Sequence, residues 1–375
     1  MGKGAHRRVT QRQEKAEVQM CITRSDRIRG CLLGGAVGDA LGAPIEFAEL
    51  AEIQKKYGSQ GISDYAEAFG RVGAVTDDTQ MSLFTAEGVI RGWVRMKTRG
   101  TLDMPAVIHH AYLRWLLTQG QRPHLGLKIG EDGWLFGIRA LHSQRAPGNT
   151  CLSALKDARG FDIPGMARNR SKGCGGVMRV APVGLFASQY AGYQEAFRLG
   201  AETAALTHGH PTGYLAAGYF AAVVAALVRG EALPRAMEEA DRLLPDRAVS
   251  AEVSKAVRRA RAVAQDGPPS PEVLESLGGG WVAEEALAIS LCCALTAADF
   301  SHGVLMAVNH SGDSDSTGAI TGSLLGATLG IQGISPSWLQ RVEMGNEIKQ
   351  IADDLDLVVG DDALAGSLLD RYPGW

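Results

Sequence analysis

The chain has 375 residues, a net charge of −3, and an ordinary composition of 45% hydrophobic and 21% charged residues. This length can bury a sizeable core, and the small net charge gives no electrostatic bias toward nucleic acid or an anionic membrane. The six cysteines form no C-x-x-C pair, which favours reduced thiols in a cytosolic protein over a disulfide framework. The N-terminus lacks an apolar signal segment, and the longest apolar run, 214–228, is shorter than the roughly 20 residues of a membrane span. We expect a cytoplasmic protein without nucleic-acid or membrane partners.

Residues 1–26 are predicted to be a basic N-terminal extension. Lysine and arginine outnumber acidic residues there, and large apolar residues are few. Two interpretations stay open: a frayed terminus, or a basic arm that becomes ordered on an acidic partner. Residues 27–375 are expected to form one domain.

A helical pattern begins at Ile28 and carries a glycine at every fourth position: Gly30, Gly34, Gly38 and Gly42. Glycine costs about 1 kcal/mol per helical position relative to alanine, so four in register need a compensating gain. Close packing of two backbones provides one. Pro44 ends this helix and Glu46 follows it. The spacing does not match the dinucleotide-binding pattern G-x-G-x-x-G.

Helical patterns continue through most of the remaining chain. They are predicted over 79–97, 104–119, 190–206, 211–229, 231–243, 249–265, 283–298 and 336–357, and residues 120–150 read as a long surface segment. A second glycine ladder follows residue 317, at Gly318, Gly322, Gly326 and Gly330. No alternating run bounded by hairpin turns predicts strands. The sequence therefore predicts an all-α, single-domain fold of short helices that cross at steep angles, with the two ladders packed together.

Two short acidic segments each stand directly before a predicted helix. We call Thr76-Asp77-Asp78-Thr79 the first acidic cluster and Asp313-Ser314-Asp315-Ser316-Thr317 the second acidic cluster. Asp, Ser and Thr are preferred at helix N-caps, but a cap uses only one side chain. Neighbouring carboxylates repel each other when they are buried, whereas Mg²⁺, Mn²⁺ and Ca²⁺ bind such oxygen ligands. Two clusters of one type favour a shared cation site.

Three other interpretations have less support: an EF-hand calcium site, a zinc site and a nucleophilic cysteine. An EF-hand loop starting at Asp313 would need a glutamate at its twelfth position, where Leu324 stands. His208 and His210 lack further Cys or His ligands at structural-zinc spacing. Cys174 has no partner histidine that sequence can assign, so a small residue in a tight loop is the simpler interpretation. The loop 173–179 exposes backbone N–H groups suited to an anion but lacks a Walker lysine.

Five motifs together resemble the ADP-ribosylglycohydrolase family, in order and at family-like separations over 27–335. They are GCLLGGAVGDALG at 30–42, TDDT at 76–79, GCGGVMR at 173–179, TH at 207–208 and GDSDS at 312–316. The resemblance implies an all-α orthogonal helical fold with a centre of two Mg²⁺ ions, or Mn²⁺. It also implies hydrolysis of the bond between ADP-ribose and a modified protein side chain, often arginine.

The resemblance also implies roles for individual residues. The metal ligands would be Thr76, Asp77, Asp78, Asp313, Asp315 and Ser316, with Asp315 as the bridge and Thr317 as the alternative to Ser316. Glu46 resembles a mobile acidic residue near the metals, and we expect Asp78 or Glu46 to act in acid–base catalysis. Contacts to the substrate are implied for Gly173, Cys174, Gly175, Met178, Arg179 and His208.

Two other functions remain open at this stage. The chain could be a binding protein that occludes ADP-ribose or an ADP-ribosyltransferase, as an immunity or regulatory protein would, with residues 1–26 docking into the partner. It could also be a different hydrolase with two metals, acting on phosphoesters, because the same metals serve both chemistries.

Overall fold

Helices account for nearly all regular structure in the computed structural model, which describes residues 22–124, 128–159, 166–245, 248–360 and 366–374. Within these ranges there are seventeen α-helices and one antiparallel hairpin of two-residue strands. The predicted all-α class is therefore confirmed. One apolar core extends from Ile28 to Tyr372.

The helices are α1 Arg24–Gly42, α2 Leu50–Tyr57, α3 Asp77–Arg99, α4 Met104–Thr118, α5 Asn149–Lys156, α6 Ala181–Ala187, α7 Gln194–Ala205, α8 Pro211–Val228, α9 Leu233–Leu243, α10 Ala251–Gln265, α11 Pro271–Glu275, α12 Ala283–Thr296, α13 Phe300–Val308, α14 Ser314–Leu329, α15 Pro336–Arg341, α16 Gly345–Val359 and α17 Gly366–Arg371. The strands are β1 Glu67–Ala68 and β2 Arg71–Val72.

Helix α1 begins at Arg24, four residues before the predicted start. Thr23 caps it: the Asp26 amide donates to the Thr23 hydroxyl at 3.1 Å, and the Asp26 carboxylate accepts from the Thr23 amide at 3.0 Å. Arg24 also pairs with Asp356 of α16 at 2.7 Å. The last three residues assigned to the basic extension are therefore the first turn of a packed helix. Residues 1–21 lie outside the described residues.

The two glycine ladders pack against each other, as the sequence predicts. The antiparallel contact of α1 and α14 pairs Gly30 with Gly326, Gly34 with Gly322, Gly38 with Gly318, and Gly42 with the backbone of Ser314. A Cβ added to any of these seven glycines would overlap a carbonyl oxygen of the partner helix. The last turn of α1 consequently lies against the first turn of α14, where the second acidic cluster stands. Gly330 has a different role, because it ends α14 with φ at 71°.

Two sequence predictions about the fold need correction. The segment predicted as one helix over 336–357 is two helices, because Met344 adopts φ of 56° between α15 and α16. The break places the buried Glu343 carboxylate 3.1 Å from the Val75 amide, just before the first acidic cluster. The segment 120–150 is not wholly on the surface, since Ile129, Leu135 and Leu141 are buried.

Helix α8 is apolar enough and long enough to cross a membrane, but 89% of its length is buried inside the protein. A core helix of a globular protein has these same properties. Five of the six cysteines lie in the described part of the chain, each as a free thiol.

Candidate metal centre

The structure brings carboxylates from three separate segments to one point. Carboxylate oxygens of Glu46, Asp313 and Asp315 all lie within 4.8 Å of one another. Burial and then the negative charge of Asp315 raise the pKa of both Asp77 and Asp78, so the first acidic cluster lies beside the second. The two acidic clusters therefore lie next to each other in this structure, as the sequence predicts.

Helix capping explains only part of the first acidic cluster. Thr76 is the N-cap of α3, and its hydroxyl accepts from the Asp78 amide at 3.3 Å. Asp77 is not a cap, because its Oδ2 accepts instead from the Gly148 amide at 3.2 Å. The Asp78 Oδ1 atom is buried and has no hydrogen-bond partner in the described part of the chain. Two carboxylates thus remain beyond what the helix needs.

The second acidic cluster shows the same excess. Asp313 occupies the N-cap position of α14, yet its side chain accepts no hydrogen bond from the first turn. Its Oδ2 is buried without a hydrogen-bond partner among the residues that the structure describes. Asp315 Oδ1 accepts from the Ser316 amide at 2.8 Å. Buried carboxylate oxygens without donors are costly, which makes a bound cation the natural partner.

Asp39 belongs to the site although sequence reasoning gave it no role. Its carboxylate accepts from the Thr76 amide at 3.0 Å and from the Thr79 amide at 3.1 Å, and it also accepts from the Thr79 hydroxyl. It therefore holds the first turn of α3 against α1. The sequence feature that could have indicated this role is a carboxylate within an otherwise apolar, glycine-lined helical face. Burial and the charge of Asp315 raise its pKa to about 7.

The electrostatics of the site fit a hard divalent cation. Burial, followed by repulsion from Asp315 and Asp313, raises the pKa of Glu46 to about 10. Burial is also the largest effect on Asp77, Asp78, Asp313 and Asp315, and it raises the pKa of each. Oxygen ligands of this kind suit Mg²⁺ or Mn²⁺ and give no preference for zinc.

The choice between Ser316 and Thr317, which the sequence left open, depends on hydrogen bonding. The Thr317 hydroxyl lies 2.7 Å from the Ala307 carbonyl oxygen, to which it donates, and 3.0 Å from His310 Nε2. It is therefore engaged within the helix packing. The Ser316 hydroxyl instead has the Met178 sulfur, at 3.9 Å, as its partner among the described residues. Of the two hydroxyls, that of Ser316 is therefore the less engaged in helix packing.

The glycines of the loop 173–179 have a packing reason of their own. A Cβ on Gly173 would lie 3.4 Å from Nε2 of His208, one on Gly175 would lie 3.2 Å from Cε1, and one on Gly176 would lie 3.4 Å from Nδ1. The bare backbone thus lets the loop rest directly on the imidazole ring. Cys174 connects this loop to the acidic clusters, because burial and then the charges of Asp313 and Asp78 raise the pKa of its thiol.

Of the other residues with predicted substrate contacts, Met178 and Cys174 lie near the acidic clusters, whereas Arg179 lies behind the loop 173–179. Met178 borders the metal centre, with its sulfur 3.9 Å from Ser316 Oγ. Cys174 is a poor nucleophile here, because burial and the nearby Asp313 raise the pKa of its thiol. The Arg179 side chain is fully buried behind the loop, with its guanidinium 4.2 Å from the Tyr112 ring centroid. A direct substrate contact by Arg179 would therefore require the side chain to move.

Two exposed aromatic residues border the site and were not found from sequence. Phe47 directly follows Glu46, and its ring stacks on Trp281 with centroids 5.6 Å apart. The Trp281 carbonyl accepts from the Cys174 amide at 3.1 Å. The aromatic pair therefore joins the Glu46 segment to the loop 173–179 (the glycine loop). No periodic pattern marks a single exposed aromatic residue in a loop, so sequence offered no signal for it.

Fold and site together define an all-α protein whose buried carboxylates are arranged for a hard cation. The model of the ADP-ribosylglycohydrolase family matches residues 20–364, and the chain belongs to that family. The resemblance inferred from the motifs is thereby confirmed.

Known relatives extend over most of the chain. The ADP-ribosyl-[dinitrogen reductase] glycohydrolase of Rhodospirillum rubrum is 28% identical, over 91% of this chain and 97% of its own length. The ADP-ribosylarginine hydrolase Tri1 of Pseudomonas putida is 25% identical over 88% of this chain and 78% of its own. ADP-ribosylhydrolase ARH3 of Bos taurus is 26% identical over 88% and 93%. A solved ADP-ribosylglycohydrolase-related protein complex superposes with a TM-score of 0.62 at 25% identity, covering 90% of this chain and 99% of that one.

Proposed function

We propose that this protein removes ADP-ribose from a modified protein side chain, with arginine as the first candidate acceptor, and that it uses two Mg²⁺ or Mn²⁺ ions. The observation that carries the proposal is the convergence of Glu46, Asp313 and Asp315 with the first acidic cluster, beside a glycine loop. Arginine is supported by one relative, which is named as an ADP-ribosylarginine hydrolase.

The ligands would come from both acidic clusters. Asp315 would be the shared ligand, which is supported by the action of its charge on Asp39, Glu46, Asp77, Asp78 and Asp313. The remaining ligands would be Thr76, Asp77, Asp78, Asp313 and Ser316. When bound, the ions would orient the diol of the distal ribose and lower the pKa of an attacking water.

The reaction itself is a hydrolysis with a simple balance of atoms. The bond from the anomeric carbon to the guanidine nitrogen breaks, the hydroxyl of water joins the carbon, and the nitrogen gains a proton. Departure of the nitrogen builds positive charge on the sugar, which the surrounding carboxylates stabilise. We propose Asp78 or Glu46 for the proton transfer. Asp78 has an oxygen without a protein partner, and Glu46 lies on the segment between α1 and α2.

The test is release of free ADP-ribose, in the presence of Mg²⁺, from proteins modified on arginine and from proteins modified on serine. We expect the arginine-linked substrate to be cleaved, and Asp77→Ala and Asp315→Ala to abolish cleavage while helicity is retained. Asp103→Ala is the matched control. Asp103 is also an acidic N-cap, accepting from the Ala106 amide at 3.1 Å, but it is remote from the metal ligands in sequence.

If the acidic clusters were only caps, all three variants would lose about 1 kcal/mol of stability and keep their activity. Equal activity of Asp315→Ala and Asp103→Ala would therefore refute the metal mechanism, as would full activity after exhaustive chelation. Cleavage of a phosphoester with no release of ADP-ribose from any modified protein would favour the alternative hydrolase.

The binding-protein alternative depends on residues 1–21, which lie outside the described residues. Its test is removal of residues 2–21. The deletion must stop there because Thr23 and Asp26 cap α1. Loss of binding to an ADP-ribosyltransferase with unchanged hydrolysis would support a second function for the arm. Unchanged binding would exclude the arm as the docking element.

A further inference from the structure

A chain of three polar side chains runs behind the glycine loop. Nη2 of the buried Arg179 donates to the Thr207 hydroxyl at 2.6 Å. The same hydroxyl lies 2.8 Å from Nδ1 of His208. The imidazole, in turn, supports the loop at Gly173, Gly175 and Gly176. Arg179 is thus connected to the loop through Thr207 and His208.

The direction of these hydrogen bonds fixes where the protons lie. A guanidinium only donates, so the Thr207 oxygen must accept from Arg179. The single proton of that hydroxyl can then go to His208 Nδ1 at 2.8 Å or to the Ala204 carbonyl oxygen at 3.5 Å. O–H donors usually bond at about 2.7–2.8 Å, so the histidine is the better acceptor. These distances favour an Nδ1 without a proton, with the proton of the neutral ring on Nε2.

The neutral state of the ring follows from its surroundings. His208 is 1% exposed. Burial and the positive charge of Arg179 both disfavour an imidazolium, and they lower the pKa of His208 to about 3. At neutral pH the ring therefore has one donor and one acceptor, and Thr207 occupies the acceptor.

The Nε2 atom lies on the loop side of the ring. It would be 3.4 Å from a Cβ on Gly173 and 3.5 Å from one on Gly175. Among the described residues no protein atom hydrogen-bonds Nε2, in contrast to Nδ1. Nε2 is not among the side-chain atoms that are fully buried without a partner, so it keeps a small exposed surface at which a ligand can supply an acceptor.

The surroundings of Arg179 do not suggest a purely structural ion pair. Its partners in the described part of the chain are the Tyr112 ring, the hydroxyl of Thr207, the Thr203 carbonyl oxygen, and the sulfur atoms of Cys151 and Met81, and none of them is a carboxylate. Burying a charge without a counter-charge destabilises a protein. A function at the candidate site would account for a buried arginine at position 179.

We infer that Arg179 and Thr207 are positioning residues that hold His208 as its Nε2–H tautomer, so that Nε2–H donates to an oxygen of the ADP-ribose moiety resting on the glycine loop. The identity of that ligand rests on the proposed function, whereas the tautomer does not. Arg179 would then act through His208 rather than by touching the substrate, which revises the contact inferred from its motif.

The tautomer is measured directly on the free, full-length protein. Long-range ¹H–¹⁵N correlation spectra distinguish Nε2–H from Nδ1–H imidazoles, and loss of one signal set in His208→Gln assigns His208. We expect wild type and Thr207→Ser to show the Nε2–H form. Thr207→Val should show a mixture of tautomers, because it removes the donor to Nδ1.

In the same variants, the Kd of ADP-ribose is measured by calorimetry. It should rise about tenfold only in Thr207→Val, as expected for the loss of one hydrogen bond.

Thr203→Val is the matched control. Thr203 is also a buried threonine near Arg179, but its hydroxyl has no hydrogen-bond partner. We expect this variant to keep both the Nε2–H tautomer and wild-type affinity. An equal loss in Thr203→Val and Thr207→Val would mean that packing, not the hydroxyl, is responsible, and the inference would fail.

Other results separate this inference from the proposed function. A wild-type protein with His208 in the Nδ1–H form would overturn the inference even if hydrolysis is fully active. An unchanged tautomer in Thr207→Val would do the same. If no ADP-ribosylated protein is cleaved but the tautomer responds to Thr207→Val and not to Thr203→Val, the proposed function fails while the positioning roles stand.

Discussion

The contact between α1 and α14 can be tested with one added methyl group, in Gly38→Ala. A Cβ at this position would overlap the Gly318 carbonyl oxygen, which belongs to the backbone and cannot rotate away. Alanine favours a helix over glycine by about 1 kcal/mol, whereas overpacking a tight contact costs about 1–3 kcal/mol. We expect a net loss of up to about 2 kcal/mol.

In a chain of 375 residues this loss corresponds to a decrease in Tm of about 2–3 °C, taking about 2.1 cal/mol/K per residue. The effect on activity should be much larger. Gly38 precedes Asp39, and the opposing helix carries Asp315, so separating the helices displaces two carboxylates of the site. A misplacement of about 1 Å can lower turnover roughly 100-fold. The measurements are Tm by calorimetry and kcat/KM for release of ADP-ribose.

Gly35→Ala is the control within the same helix. Its Cβ would meet the Ser323 hydroxyl at 2.6 Å, and that hydroxyl belongs to a side chain that can rotate. We expect both Tm and kcat/KM to stay near wild type in this variant. Wild-type activity in Gly38→Ala, or equal losses in both variants, would refute the view that backbone contact between the ladders positions the site.

Three further predictions concern the site and the core. Mg²⁺ at about 100 times its Kd should stabilise the wild type by about 2.7 kcal/mol in a thermal shift assay, and Asp315→Asn should show no shift. Asp39→Ala should lose both that response and ADP-ribose release, because alanine has no oxygen to accept from the donors of Thr76 and Thr79. Burial lowers the pKa of His109 to about 4 from an ordinary 6.5, so the unfolded chain binds this proton more tightly and stability falls as pH drops from 6.5 toward 4. His109→Leu should remove up to about 3 kcal/mol of that loss in urea titrations at pH 4 and pH 7, and an identical pH dependence in the variant would contradict the assignment.

Local patterns in the sequence determined much of this protein. The helical spacing of apolar residues and glycines predicted the all-α class and the tight packing of two helices. The carboxylate-rich segments before two helices predicted a cation site, because more acidic groups stood there than caps can use. Such features depend on residues that are near one another along the chain, and they can therefore be read before the fold is known.

Only the tertiary structure decided which side chains face one another. The packing of α1 against α3 brought Asp39 to the first turn of α3, and its local sequence indicated only that a carboxylate stood on an apolar helical face, not what it would contact. Packing against α3, α4 and α7 buried Arg179 behind the glycine loop, and packing of α14 against α13 engaged the Thr317 hydroxyl. These outcomes depend on contacts between segments distant in sequence, because the direction of a side chain in a buried helix is fixed by what packs against it.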